Sequence, residues 1–524
     1  MARATTWGVA AVALLVVGVA GLWPYPLDQG DQGKQAQYVL DCVVNHHWLV
    51  PREMGTVPAT KPPLYTWLAA ACSWAAGGVS LRTVQLPALA SGFVLALLVF
   101  ALARRLLPEQ AAVAAAVAFI TCHHFVRITS FMRTDGLLAV WLTLQLYLYV
   151  RTWKRERPSA AIVALMALAS AAAWLTKGPI GGLSSVVIAL HLLTRRRAAE
   201  AIPLALVPAV AGAAALGIWF AAAVAVGGDA VYDTMVVGEL GRHAVGHGLT
   251  NPLYYIGTTA VRITPWQLLL PAAAWLGWRW ARGGGHRHRH LAPEGSLLLL
   301  WLAVWLVALS LISHQRPDLF FPAEPALFLL LGRVAGEPRG RPYLMGLALL
   351  LAAGGVAVAT GLAGGAVPDL APRWVGPTAG ACLVAGGAIA WRWRRAGLAA
   401  AFGAIGAAAA ANLLLAFVGN GPAHAATSFA DFGATVRAEA ASRGARVVAV
   451  GVAAPSPLFH LRLAEPPLAV ASLACLRGPL VVVCPQAQAA AVTGALAGCK
   501  EIATSGTAEE DSVRDLVALA CGGW

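Results

Sequence analysis

The chain has 524 residues, of which 59% are apolar and only 12% charged, with a mean hydropathy of +0.68. That balance excludes an ordinary water-soluble enzyme and makes lipid the solvent for most of the chain. The net charge of +14 would suit a nucleic-acid binder if the basic residues shared one exposed face; they are scattered between apolar runs, which excludes that class.

Apolar stretches of about 17–25 residues match a hydrocarbon core of about 30 Å. Thirteen are predicted, at 6–23, 85–103, 110–126, 135–150, 159–176, 178–194, 201–226, 261–278, 294–313, 319–335, 343–366, 375–391 and 396–418. The first starts after a sparse basic Arg3 and exits through Trp-Pro-Tyr-Pro with no Ala-x-Ala site, which predicts a retained helix, not a cleaved signal.

With a cytoplasmic amino terminus, alternate loops carry Arg104-Arg105, Arg151 to Arg157, Arg195 to Arg197, Arg279 to Arg289, Arg333 to Arg341 and Arg392 to Arg395. All fall on one side, as the positive-inside bias requires. The opposite, extracytoplasmic side receives 24–84, the turns at Asp135 and Lys177, 227–260, 314–318 and the carboxy-terminal region. The predicted fold class is therefore an α-helical polytopic membrane protein with a small carboxy-terminal extracytoplasmic α/β domain. Its predicted boundaries are 1–420 for the membrane domain, with 24–84 as its first outer loop, and 421–524 for the outer domain.

The first outer loop places Tyr38, Val39, Cys42, Val43 and Trp48 at helical spacing, predicting an amphipathic helix along the membrane surface. Asp31 falls at its start, where a carboxylate suits the helix dipole, so a simple capping role stands beside a functional one. Lys61 opens Lys-Pro-Pro-Leu, Asp135 sits in Arg-Thr-Asp-Gly, and Lys177 sits in the short turn Thr-Lys-Gly-Pro. Ionisable groups at membrane depth are costly enough to be functional candidates, and these share one side.

Farther along, His286 to His290 is a short Arg/His run that reads as a solvated loop. Cys475, Cys484, Cys499 and Cys521 form an even set, equally readable as disulfide partners in an oxidising compartment or as small buried apolar groups. Spacing does not assign pairs.

These motifs, in this order, resemble the GT-C glycosyltransferases, in the branch holding the lipid A aminoarabinose transferase and the protein O-mannosyltransferases. Asp31 matches the family's catalytic Asp, with Trp48 seventeen, Pro51 twenty and Lys61 thirty residues later. The likeness continues through Asp135, Lys177-Gly178-Pro179, His247 to Pro252, Thr264-Pro265-Trp266 and Ser313 to Pro325, covering about the first 335 residues. Three positions depart from the pattern, one of them Gln315 beside Arg316, where the family commonly has Lys. Gln32 replaces the Glu that usually follows the catalytic Asp, and Thr60 replaces the carboxylate that often precedes Lys-Pro-Pro-Leu and serves as a metal ligand. The resemblance implies a divalent cation with Asp135 as its remaining ligand; the substitutions at 32 and 60 leave that set incomplete, with His123, His124 or another acidic group open as replacements.

The implied activity is sugar transfer from a polyprenyl-phosphate donor to a lipid, glycan or protein acceptor, by single displacement with inversion. Asp31 would orient or deprotonate the acceptor. Lys34, Lys61, Lys177, Arg242 and Arg316 are candidates to stabilise charge on the departing phosphate, Lys34 and Lys61 foremost because they match positions near the family's donor phosphate. Asp135 would hold a metal or fix a lysine by a salt bridge. Two rival classes are a lipid-linked glycan transporter or flippase, which needs charges near the membrane centre, and a ligase or polymerase using Arg242-His243.

Overall fold

The computed structural model describes residues 2–22, 27, 31–153, 158–241, 253–271, 293–312, 315–335, 341–360, 373–393, 401–413, 415, 429–452, 454–505 and 515–522. In chain order the helices used below are α1 (Ala2–Leu22), α2 (Gln32–Val44), α3 (Leu64–Ala75), α4 (Leu81–Leu106), α5 (Glu109–Ile120), α6 (His123–Ser130), α7 (Thr134–Thr152), α8 (Ala160–Lys177), α9 (Leu183–Thr194), α10 (Val207–Gly227), α11 (Leu253–Arg262), α12 (Pro293–Ser310), α13 (Glu324–Ala335), α14 (Arg341–Ala359), α15 (Val375–Arg392), α16 (Ala430–Ser442) and α17 (Pro455–His460). The strands are β1 (Arg52–Glu53), β2 (Val57–Pro58), β3 (Arg446–Ala449), β4 (Leu480–Pro485), β5 (Lys500–Thr504) and β6 (Leu516–Cys521). They gather into two compact units, one made of residues 1–24, 85–221 and 236–422, the other of 25–84, 222–235 and 423–524.

The first unit is that of a multi-pass membrane protein. Among the described residues five helical segments are long and apolar enough to cross a bilayer: Thr5–Leu22, Leu81–Leu106, Ala160–Thr194, Ala198–Gly227 and Pro293–Ser310. The predicted run 110–126 is broken instead, with α5 and α6 meeting at 54°. Cys122 sits extended at that break and its sulfur accepts from the Phe125 amide, starting a new helix. Ala160–Thr194 is helical throughout yet reverses direction at Gly178, whose φ of +72° lies in the left-handed region that favours glycine. Lys177 at the end of α8 meets Asp135 at the start of α7, whereas His191 near the end of α9 bonds to Tyr149 near the end of α7. Helices α8 and α9 therefore run antiparallel. The predicted span 319–335 opens as a 3-10 turn, Pro317–Ala323, because Pro317 and Pro322 supply no amide hydrogen. Small residues let helices approach closely: a Cβ on Gly380 of α15 would lie 2.4 Å from the Gly355 carbonyl of α14.

The second unit joins the segment after α1 to the carboxy-terminal region. Its sheet has the order β3-β4-β6-β5, with β3 and β4 parallel and the other pairs antiparallel. Strand β4 is apolar on both faces because both are covered. Val481 and Val483 pack with Phe432 and Val436 of α16, while Leu480, Val482 and Cys484 pack with Leu473 and Val492. A disulfide joins Cys499 to Cys521; Cys484 is a buried free thiol and Cys475 an exposed one.

Helix α2 is enclosed rather than laid open on a surface, and even its polar residues Gln32, Gln35, Gln37 and Asp41 are buried. Each of the last three finds partners. Gln35 Nε2 donates to Thr66 Oγ1 of α3 at 2.8 Å, and Gln37 Nε2 donates to the Pro455 carbonyl of α17 at 3.1 Å. The Asp41 carboxylate accepts from Asn45 Nδ2 at 2.8 Å and from the Arg52 amide at 2.8 Å, and lies 3.1 Å from His47 Nδ1. Buried polar groups tied in this way favour one arrangement of the segment, although Gln37 Oε1 is left without a hydrogen bond.

Candidate active site

Asp31 occupies the residue before α2, but its side chain makes no capping hydrogen bond. The carboxylate lies 3.6 Å from Lys61 Nζ instead, with both side chains about one-third exposed, 31% and 29%. The acid therefore faces a lysine at an open edge and not the helix end. Lys61 is delivered there by Pro62 and Pro63, whose fixed φ stiffens the approach to α3.

Lys34, one turn into α2, turns to Glu53, with Nζ 3.6 Å from the carboxylate. Glu53 is presented by a tight β1–β2 hairpin in which Met54 and Gly55 both take positive φ, +50° and +72°. A side chain at Gly55 would meet the Ala464 carbonyl at 2.9 Å, so this turn needs glycine for space as well as for φ. Burial raises the Glu53 carboxyl above the usual range, Lys34 opposes that rise, and the charge of Asp31 adds to it. Asp31, Lys34, Glu53 and Lys61 thus form one electrostatic group. Glu53 was not singled out from sequence; the signal available was an acid followed by Met-Gly at turn spacing, and nothing in that pattern shows burial.

In the first unit Asp135, 5% exposed, begins α7 and is hydrogen-bonded by Lys177 at the end of α8. An acid at a helix amino terminus and a base at a carboxy terminus each suit the local helix dipole. Arg316 caps the 3-10 turn Pro317–Ala323 in extended conformation. Arg242, with His243 and Asp28, lies outside the described residues.

A second cluster centres on Asp318. Arg133 and Arg262 both hydrogen-bond its carboxylate, His124 Nε2 lies 3.3 Å away, and His124 Nδ1 reaches Glu324 at 2.5 Å. Burial alone would raise the Asp318 carboxyl, but the His124 hydrogen bond and the Arg133 and Arg262 charges hold it well below the usual carboxylate range. This node ties α6, α7, α11 and the turn before α13. Its members are scattered over nearly two hundred residues, so no local sequence pattern announces it.

The donors among the described residues do not fit a divalent cation. Among the described residues no three His, Cys, Asp or Glu side chains are grouped to hold one. Asp135 is engaged by Lys177 and Asp31 by Lys61, while the positions 32 and 60 carry the neutral Gln and Thr.

Residues 60–220 match the family model described as dolichyl-phosphate-mannose-protein mannosyltransferase. Over 99% of its length the chain superimposes on 98% of ArnT from Cupriavidus metallidurans bound to undecaprenyl phosphate, with a TM-score of 0.78 and 20% identity. Its fold is the GT-C fold of that protein. The apo state of the same Cupriavidus protein matches with a TM-score of 0.74 over 98% of both chains. By sequence the chain is 24% identical over 344 residues to the undecaprenyl phosphate-alpha-4-amino-4-deoxy-L-arabinose arabinosyl transferase of Yersinia enterocolitica. That match spans 64% of this chain and 60% of the relative, and the Yersinia pestis counterpart gives 62% and 57% at the same identity.

Proposed function

We propose that the chain is an integral inner-membrane glycosyltransferase that moves a sugar from a polyprenyl-phosphate donor to a lipid, glycan or protein acceptor on the extracytoplasmic face. The observation that carries the reading is the Asp31 carboxylate 3.6 Å from Lys61 Nζ in a chain of this fold. Its likeness to an arabinosyl transferase and a mannosyltransferase family, and the undecaprenyl phosphate bound to the Cupriavidus protein, support the donor class. The Yersinia name makes a lipid A-type acceptor one candidate.

In the proposed step the acceptor oxygen attacks the anomeric carbon from the face opposite the phosphate. One carbon–oxygen bond forms, the carbon–phosphate oxygen bond breaks, and the configuration inverts. Asp31 receives or steers the acceptor proton, worth about 10²–10⁴-fold for a hydroxyl. Negative charge grows on the leaving polyprenyl phosphate, and Lys61, with Lys34 beside it, supplies fixed positive charge for it. Lys177 and Arg316 serve the donor phosphate in the same reading, as does Arg242. Asp135 fixes Lys177, a role met by charge pairing without a metal.

The extracytoplasmic placement is supported by the six basic loops on the other side and by the Cys499–Cys521 disulfide, which persists in oxidising compartments. The same orientation carries the thirteen-span reading and the division into 1–420 and 421–524. Mass spectrometry of envelope lipids and glycoproteins, with and without the gene, tests the proposal. The expected result is a sugar-modified product that vanishes on deletion and is restored by the wild-type gene alone, not by Asp31→Asn. An unchanged envelope, with labelled lipid moved across vesicles, would instead establish transport.

A further inference from the structure

We propose that the second unit holds the phosphate headgroup of an anionic membrane phospholipid in a cleft of about 440 Å³ lined by Leu40, Val43 and Val44 of α2, Val79 beyond α3, and Arg437 and Arg462. The site is separate from sugar transfer: Val43 lies about 18 Å along α2 from Asp31, at about 1.5 Å of rise per residue.

Two guanidinium groups share this cleft, and the acids beside them in sequence are engaged elsewhere. Glu439 pairs with Arg443 at 3.0 Å and Glu465 with Arg446 at 2.9 Å. Arg437 is steered by a hydrogen bond from its Nη1 to the His460 carbonyl. Burial and the nearby Arg462 both disfavour its charge. Arg462 takes a φ of +62°, a left-handed conformation that costs energy for a residue other than glycine and recurs where function requires it. A phosphate matches two forked donors in shape and charge.

The remaining walls are apolar. Leu40 and Val79 are buried and form the floor, and Val44, 52% exposed, forms an edge. On α3, Leu68, Ala71 and Trp74 repeat every three residues on one exposed side, with Trp74 78% exposed. An exposed Trp beside Leu on an apolar helix is the pattern of an interfacial anchor. Cations over an apolar floor, next to such an anchor, complement a headgroup phosphate followed by methylenes. An acidic peptide would satisfy the arginines and leave the floor uncovered.

The test uses the full chain in a neutral maltoside detergent, with binding followed by thermophoresis. The probes are dihexanoylphosphatidylglycerol, dihexanoylphosphatidylcholine, inorganic phosphate and a hepta-glutamate peptide. Expected is saturable binding of the phosphatidylglycerol at least tenfold tighter than that of the other three. Arg462→Gln and Val44→Glu, both at exposed positions, each weaken it tenfold or more, and Arg437→Lys weakens it less. Equal binding of the two lipids, inorganic phosphate or the peptide binding as tightly as phosphatidylglycerol, or an unaltered Arg462→Gln would each overturn the proposal. Hydrogen exchange over 430–463 separates loss of binding from loss of fold, because unchanged protection in both variants assigns the effect to the cleft.

Discussion

The Asp31 carboxylate stands 3.6 Å from Lys61 Nζ although thirty residues separate them, and neither group is buried. A carboxylate and an ammonium group therefore share one accessible edge, fixed by α2 on one side and by Pro62-Pro63 on the other.

Asp31→Asn keeps the volume and removes the base. The expected outcome is a fall in turnover of about 10²–10⁴-fold with a hydroxyl acceptor, read by radiolabel transfer from polyprenyl-phosphate sugar in detergent. Thermal unfolding should shift little, because the side chain makes no cap bond. Turnover at the wild-type rate would remove Asp31 from the chemistry.

Lys61→Ala deletes a charge aimed at the leaving phosphate and should lower turnover by about 10²–10³-fold, with Lys61→Arg recovering part of it. If instead the variant binds donor normally and turns over normally, the lysine serves only to pair with Asp31.

Asp135 and Lys177 are a different kind of pair, nearly buried at 7% and 13% side-chain exposure. Asp135→Ala or Lys177→Met alone strands a charge, which costs about 3–5 kcal/mol. The double variant should be less destabilised than the sum of the singles in a thermal-shift cycle. Strict additivity would show that the two groups do not interact.

Asp318→Asn should destabilise the first unit by a similar amount, about 3–5 kcal/mol, because Arg133 and Arg262 lose their shared anion. A pH test has the matching sign. The folded carboxyl lies below its unfolded value of 3.8, so its contribution is complete above that value and is lost as pH falls below it. Pulse proteolysis of the full chain between pH 3 and 5 would read it, the loss being absent in the variant.

His460, buried in α17, is pushed down from 6.5 to about 4 by burial and then by Arg437 and Arg462. The folded state holds it neutral, so its contribution is complete above 6.5 and declines as pH falls from there to about 4. The loss is on the order of 3 kcal/mol. Hydrogen exchange over 430–463 should accelerate across that window in the wild type and not in His460→Gln.

Much of this was legible in the sequence. Apolar runs predicted the helical membrane architecture, since lipid admits few alternatives. The small carboxy-terminal α/β domain was also expected, and its four-stranded sheet is found between Arg446 and Cys521. Asp31, Lys61, Asp135 and Lys177 stood out because each is an ionisable group beside a membrane span. Periodicity failed where partners are remote. It read α2 as surface-lying from Tyr38, Val39 and Cys42, whereas Gln35 and Gln37 are buried too, because Thr66 and Pro455 supply their hydrogen bonds. It likewise ran 110–126 as one helix, missing the restart at Cys122. Glu53 and Asp318 drew no notice because their meaning lies in lysine and arginine partners that only folding brings near.

The bond from Gln37 to the Pro455 carbonyl spans 418 residues. Contacts so far apart in the chain form late in folding, because the loop between them must close before they reward it. Helix α2 therefore gains its enclosure only after the segment around Pro455 has arrived, and a chain cut between the two would leave the Gln37 amide without that acceptor.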